Sequence, residues 1–132
     1  MAATYTYAAR VMGMRLLESE EDFEALVDVL HTKLPSLDHT NYQLRKRMRD
    51  FVELDDAIRE QFHYIQVPPV PRTGIIWMQS HSSWPRALNY RQKKLDMESL
   101  YLREINGYLQ AVMANPEVIK SKVMIDFLKI CE

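Results

Sequence analysis

The chain has 132 residues, 47% of them hydrophobic and 27% charged, which is enough for one folded domain with its own core and excludes global disorder. With 17 basic residues against 18 acidic ones, the formal net charge is −1, so bulk charge gives no argument for a nucleic-acid partner. A single cysteine, Cys131, excludes an intrachain disulfide and fits a reducing compartment. The N-terminal "MAATYTYAARVMGM" has neither the apolar stretch nor the cleavage site of a secretory signal. No apolar run approaches the roughly 18 residues that span a bilayer. These features imply a cytosolic or peripheral protein.

From Tyr5 to Val11, the residues Tyr5, Tyr7, Ala9 and Val11 alternate with Thr6, Ala8 and Arg10, which predicts a strand. "SEEDFEALVDVLHTKL" reads two ways. Phe23, Leu26, Leu30 and Leu34 have helical spacing behind a Ser19–Asp22 capping box, and local propensity favours that helix. At period two, Phe23, Ala25, Val27 and Val29 line one face of a strand instead. "LPSLDHTN" is a loop. "YQLRKR" is a short strand ending at "RD", where Asp50 is positioned to cap a helix with Glu53 three residues on. Phe51, Leu54, Ile58 and Phe62 give that helix an apolar stripe and leave Asp55 and Asp56 on its solvent face.

"VPPVPRTGIIWM" then joins a stiff, basic proline loop to four apolar residues, Ile75, Ile76, Trp77 and Met78. A long helix is predicted from near Pro85 to Asn115–Pro116. Leu88, Leu95, Leu102 and Leu109 recur every seven residues along it, but polar residues between them weaken a coiled-coil reading. Its C-terminal half is expected to pack through Leu102, Ile105, Leu109 and Val112. A last helix uses Ile119, Val123, Phe127 and Ile130. Strands first and helices after make an α+β chain. The chain stops at "FLKICE" without a polar tail, consistent with a piece of a longer protein.

Four segments in order resemble the phox-homology (PX) domain of the sorting nexins. "KRMRDF" (Lys46 to Phe51) is similar to the family's strand-to-helix junction. "VDVLHTKLPS" resembles its second strand and following turn, and "VPPVPRTG" its polyproline loop. "INGYLQAVMANPEVIKSKVMIDFL" resembles its closing helices. The resemblance turns "FEALVDVLHTKL" into a strand against its local helical preference. It implies a three-stranded antiparallel sheet packed on a helical subdomain, with residues 1–132 as one such domain.

The resemblance also implies a phosphoinositide headgroup pocket. Arg47 matches the arginine that takes the 3-phosphate, and Arg72 stands near the loop cation that meets the 1-phosphate. Arg49 and Lys94 are counted among the pocket's cations. Met48 replaces the aromatic platform under the inositol ring, and Tyr101 stands where the family has an arginine for the ring hydroxyls. Arg103, roughly 200° around the helix from Tyr101, is no substitute. Ile75, Ile76, Trp77 and Met78 are expected to insert into the bilayer. The implied partners are a phosphoinositide, most of all phosphatidylinositol 3-phosphate, and an endosomal or vesicular membrane surface. The lipid reading requires that Arg47 is not tied up by an acidic partner and that the hollow it faces is not plugged by protein.

Other readings remain beside it. "IIWM" also reads as ordinary core, "RKRMR" as a solvated strand end or a nuclear-import or RNA-contacting patch, and "PPVPR" as an SH3 ligand. Met48, Tyr101 and the leucine repeat motivate a degenerate fold serving a protein partner or a homodimer. His31, His39, His63 and His81 have no metal-ligand spacing, and three glycines leave no phosphate-cradling loop, so no catalytic residue, metal or cofactor is expected.

Overall fold

The computed structural model describes residues 4–17, 22–34, 36, 38–70 and 88–130. Three strands, β1 (Thr4–Leu17), β2 (Asp22–Leu34) and β3 (His39–Arg47), form one antiparallel sheet in the order β1-β2-β3. Among the described residues four helices follow: α1 (Met48–Gln61), α2 (Leu88–Met113), α3 (Pro116–Ile119) and α4 (Lys122–Leu128). This is the α+β arrangement of a sheet packed on a helical subdomain. The segment with two readings is a strand. Phe23, Ala25, Val27 and Val29 are all fully buried on its inner face, while β1 and β3 pair with both its edges. Two neighbouring strands outweigh one local helical preference.

In β1, Tyr7, Ala9 and Val11 face the core as the alternation predicts, but the strand runs on to Leu17. A bulge between Val11 and Gly13 turns Met12 out to solvent and shifts the inward phase by one, so Leu16 is the next buried residue. The free edge of β1 is covered by α2. Gln110 Nε2 donates to the Ala9 carbonyl (2.7 Å), Asn106 Oδ1 accepts from the Val11 amide (2.9 Å), and Glu98 Oε2 accepts from the Leu16 amide (2.6 Å). Side chains thus stand where a further strand would pair.

Arg47 is the N-cap of α1, and Asp50, at its third position, accepts the Arg47 amide at 2.7 Å. The helix therefore starts before Asp50. Phe51, Leu54, Ile58 and Phe62 are buried as the stripe predicts. Asp55, expected on the solvent face, is 2% exposed. Its carboxylate accepts from the Tyr108 hydroxyl (2.8 Å) and from Arg59 Nε (2.9 and 3.0 Å). Arg59 also reaches the carbonyls of Val67 and Pro68 at 3.4 Å, tying the start of the proline loop to α1.

Along α2, Leu95 is 51% exposed whereas Leu109 is fully buried with Ile105, Tyr108 and Val112. The leucine repeat rolls from solvent into the core and makes no continuous seam. Asn115 and Pro116 end α2, with Asn115 capping α3 through Glu117 and Val118 amides. The last predicted helix is two helices. Buried Ser121 separates them, donating to the Val118 carbonyl and accepting from the Met124 amide. The break moves the buried face to Val118, Met124, Leu128 and Ile130 and leaves Val123 and Phe127 half-buried. Tyr7 and Tyr42 donate hydroxyl hydrogens to the Ile119 and Leu128 carbonyls, so the sheet is fastened to both ends of this pair.

Candidate functional site

Strand alternation divides the cations at the end of β3. Lys46 faces inward over the Phe127 ring (4.6 Å to the centroid), and burial lowers its ammonium below the ordinary lysine range. Arg45 and Arg47 face outward. Register places Arg47 opposite Glu24 of β2, which in turn lies opposite Arg15 of β1.

Three guanidinium groups therefore converge on one carboxylate. Arg15 Nη2 lies 2.9 Å and Arg45 Nη1 3.5 Å from Glu24 Oε1, and Arg47 Nε lies 3.7 Å from Glu24 Oε2. The Glu24 side chain is 13% exposed and that of Arg47 is 30% exposed. The condition that Arg47 has no acidic partner is thus not met. The contact is nevertheless an ion pair just beyond hydrogen-bond reach, and among the described residues Glu24 faces three guanidinium groups. Asp50, the next acidic group along the chain, is engaged with the backbone at the start of α1.

The other expected site residues are distributed differently. Arg49 pairs with buried Asp22 at 3.1 Å, where Asp22 also accepts the Phe23 amide. Asp22 is therefore the first residue of a strand and a partner for Arg49, and not part of a helix cap. Met48 is 3% exposed and belongs to the core cluster. Tyr101 is 1% exposed and stands edge-on to Phe23 at 4.8 Å. Neither presents a surface to a headgroup, because both fill the seam between sheet and helices. Lys94 is half-buried on α2 two turns before Tyr101. Arg72, Ile75, Ile76, Trp77 and Met78, like Pro85, lie outside the described residues.

Sequence reasoning missed Glu24, Arg15 and Arg45. A period-two reading puts Glu24 on the face opposite Phe23, but only cross-strand register brings the three arginines to it, and the bulge in β1 hides that register. A cavity of about 300 Å³ beside the cluster is lined by Gly13, Met14, Arg15, Glu24, Leu26 and Arg45. A larger one of about 500 Å³ lies along Arg10, Asp28, Asn41 and the α2 residues Asn106 and Gln110. No group of acidic, histidine or cysteine side chains suited to a metal ion occurs among the described residues. No helix among them is long and apolar enough to cross a membrane.

Among solved structures, the fold is similar to that of the mouse SNX19 PX domain with bound sulphate ion. The TM-score is 0.52 at 14% identity, with 98% of this chain and 100% of that chain covered. A second structure of the mouse SNX19 PX domain matches over the same shares at 16% identity and a TM-score of 0.48. The curated proteins contain no match. The family model of the PX domain matches residues 34–131, all of β3 and the helical subdomain included. The chain belongs to the PX domain family, whose members are generally phosphoinositide-binding, membrane-targeting modules without enzymatic activity.

Proposed function

We propose that residues 1–132 act as one PX domain that recognises phosphatidylinositol 3-phosphate on endosomal or vesicular membranes. The observation that carries the reading is the convergence of Arg15, Arg45 and partly exposed Arg47 at the β3–α1 end of the sheet, where Arg47 stands 3.7 Å from the Glu24 carboxylate. A guanidinium fork holds a phosphate bidentately and keeps its charge at any physiological pH. Each hydrogen bond to a charged group contributes about 1.5–3 kcal/mol. A bidentate phosphate offers Arg47 shorter and more directional bonds than the 3.7 Å carboxylate contact. The similar PX domain of mouse SNX19 has a bound sulphate ion, a tetrahedral anion like a phosphate ester.

Arg72 is the proposed ligand of the 1-phosphate. Ile75, Ile76, Trp77 and Met78 are the proposed insertion tip, with Trp77 at the interface, where its ring is favoured. One buried apolar side chain contributes roughly 1.5–3 kcal/mol, and each basic residue about 1 kcal/mol near an anionic leaflet. Headgroup, insertion and charge together hold a domain that none of them holds alone.

A second reading rests on the same residues. Met48 and Tyr101 are core residues and Arg47 has Glu24 beside it, which favours a PX fold serving a protein partner or homodimer. Flotation with vesicles across the phosphoinositide series separates the two. Binding that requires a phosphoinositide and peaks with the 3-phosphate supports the first reading. No flotation, with a dimer by light scattering, supports the second.

A further inference from the structure

We propose that the groove between the outer face of the sheet and α2 is a docking site for an acidic peptide segment of a partner protein, bound in extended conformation. The site is separate from the headgroup reading: along β3, Asn41 stands about 20 Å from Arg47 at the usual rise of a strand. Cross-strand register builds its floor. Ala8 of β1, Leu30 of β2 and Asn41 of β3 form one row, with Arg10 and Asp28 in the next. Leu30, 38% exposed, and Ala8 give this polar face an apolar centre. Asn106 and Gln110 of α2 form the wall, and the cavity of about 500 Å³ between wall and floor is within the range of ligand sites.

The hydrogen-bonding groups suit a peptide. Gln110 Nε2 donates to the Ala9 carbonyl and Asn106 Oδ1 accepts from the Val11 amide, so each side-chain amide uses one end on the edge of β1. The other ends, Gln110 Oε1 and Asn106 Nδ2, have no partner among the described residues. They are one acceptor and one donor, a turn apart on the same face of α2, and they complement the N–H and C=O of an extended chain. The covered edge of β1 is thus relayed outward through α2, and a peptide can pair with it as it would with an open strand. Charge sets the sign of that peptide. Arg10 is 66% exposed, and its one charged contact among the described residues is Asp28 at 4.0 Å. Asp28 is recessed at 17% exposure, and Asn41 Nδ2 donates to both its oxygens at 3.2 and 3.4 Å. An incoming side chain therefore meets the guanidinium first, which selects a carboxylate. A flat bilayer would leave the amides of this concave site unused.

Random peptides of about eight residues, a usual strand length, displayed on phage and panned on the whole chain, supply the probe. Acidic sequences should be enriched. Made as synthetic peptides and titrated by fluorescence anisotropy, they should bind Arg10→Glu at least about tenfold more weakly than wild type. Flotation of Arg10→Glu with phosphoinositide vesicles should match that of the wild type. No enrichment, enrichment of basic or uncharged sequences, or equal binding to wild type and Arg10→Glu overturns the proposal. A parallel change in flotation overturns it too, because the effect of Arg10 would then not be confined to this groove. Arg10-dependent binding to phosphatidylserine vesicles with no peptide enriched overturns it in favour of a bilayer contact. If melting shows that Arg10→Glu does not fold, Arg10→Gln, which only removes the charge, should weaken peptide binding about threefold, and no loss overturns the proposal.

Discussion

Asp55 offers a quantitative test of how the helical subdomain is held. Substituting alanine removes the acceptor to which the hydroxyl of fully buried Tyr108 donates at 2.8 Å. Losing the acceptor of a buried donor costs about 1–3 kcal/mol. Arg59, 45% exposed, regains water when its partner goes, so its share is at most about 1 kcal/mol after screening. Alanine returns about 0.5 kcal/mol of helix propensity. The net loss is about 0.5–3.5 kcal/mol, centred near 2, a fall of about 7 °C in Tm for a domain of this length. Tyr108→Phe leaves the carboxylate with Arg59 and should cost about 1.5 kcal/mol. Denaturant unfolding of wild type, both single variants and the double variant gives the coupling directly. A double variant whose loss equals the sum of the singles would show that the hydroxyl and carboxylate do not stabilise each other, and would refute the reasoning.

Two further perturbations probe the sheet. Burial raises the Tyr7 phenol well above its ordinary value, so the stability it contributes is fully present below about pH 10 and is lost as pH climbs toward the folded value. Tyr7→Phe should lose about 1 kcal/mol at neutral pH with the Ile119 hydrogen bond, yet decline less steeply in alkali. An unchanged alkaline slope in equilibrium unfolding would contradict this. Asn106→Ala removes the acceptor for the Val11 amide at the bulged edge. That amide should exchange with deuterium at least tenfold faster, about 1.4 kcal/mol of lost protection, while amides in β2 stay protected; equal acceleration in β2 would mean that the whole sheet has loosened.

Much of this architecture could be read in the chain because side-chain periodicity survives without partners. The odd-numbered face of β1, the Phe51–Phe62 stripe of α1 and the stop at Asn115–Pro116 each depend on local geometry alone. β2 was legible only through the family resemblance, since its leucine spacing and acidic start mimic a helix and only strand pairing decides against it. Asp55 was misassigned because a carboxylate beside a second aspartate looks solvated, and its partner Tyr108 is far away in sequence. The split at Ser121 was hidden because a serine cap inside an apolar run changes the helical phase without breaking the pattern. The charge hub is a product of register. Arg15, Glu24, Arg45 and Arg47 mean little singly, and the bulge at Met12 decides which of them meet. Met48 and Tyr101 were read at their family positions, but in this chain they are packed where the sheet meets the helices.

The most direct test of phosphate recognition at the β3–α1 junction is flotation of wild type and Arg47→Ala with vesicles that do or do not carry phosphatidylinositol 3-phosphate. The account predicts that the wild type floats only with the phosphoinositide and that Arg47→Ala, folded by its melting curve, loses at least tenfold in binding, or about 1.4 kcal/mol. Equal flotation of the two proteins, or flotation that ignores the phosphoinositide, would contradict it.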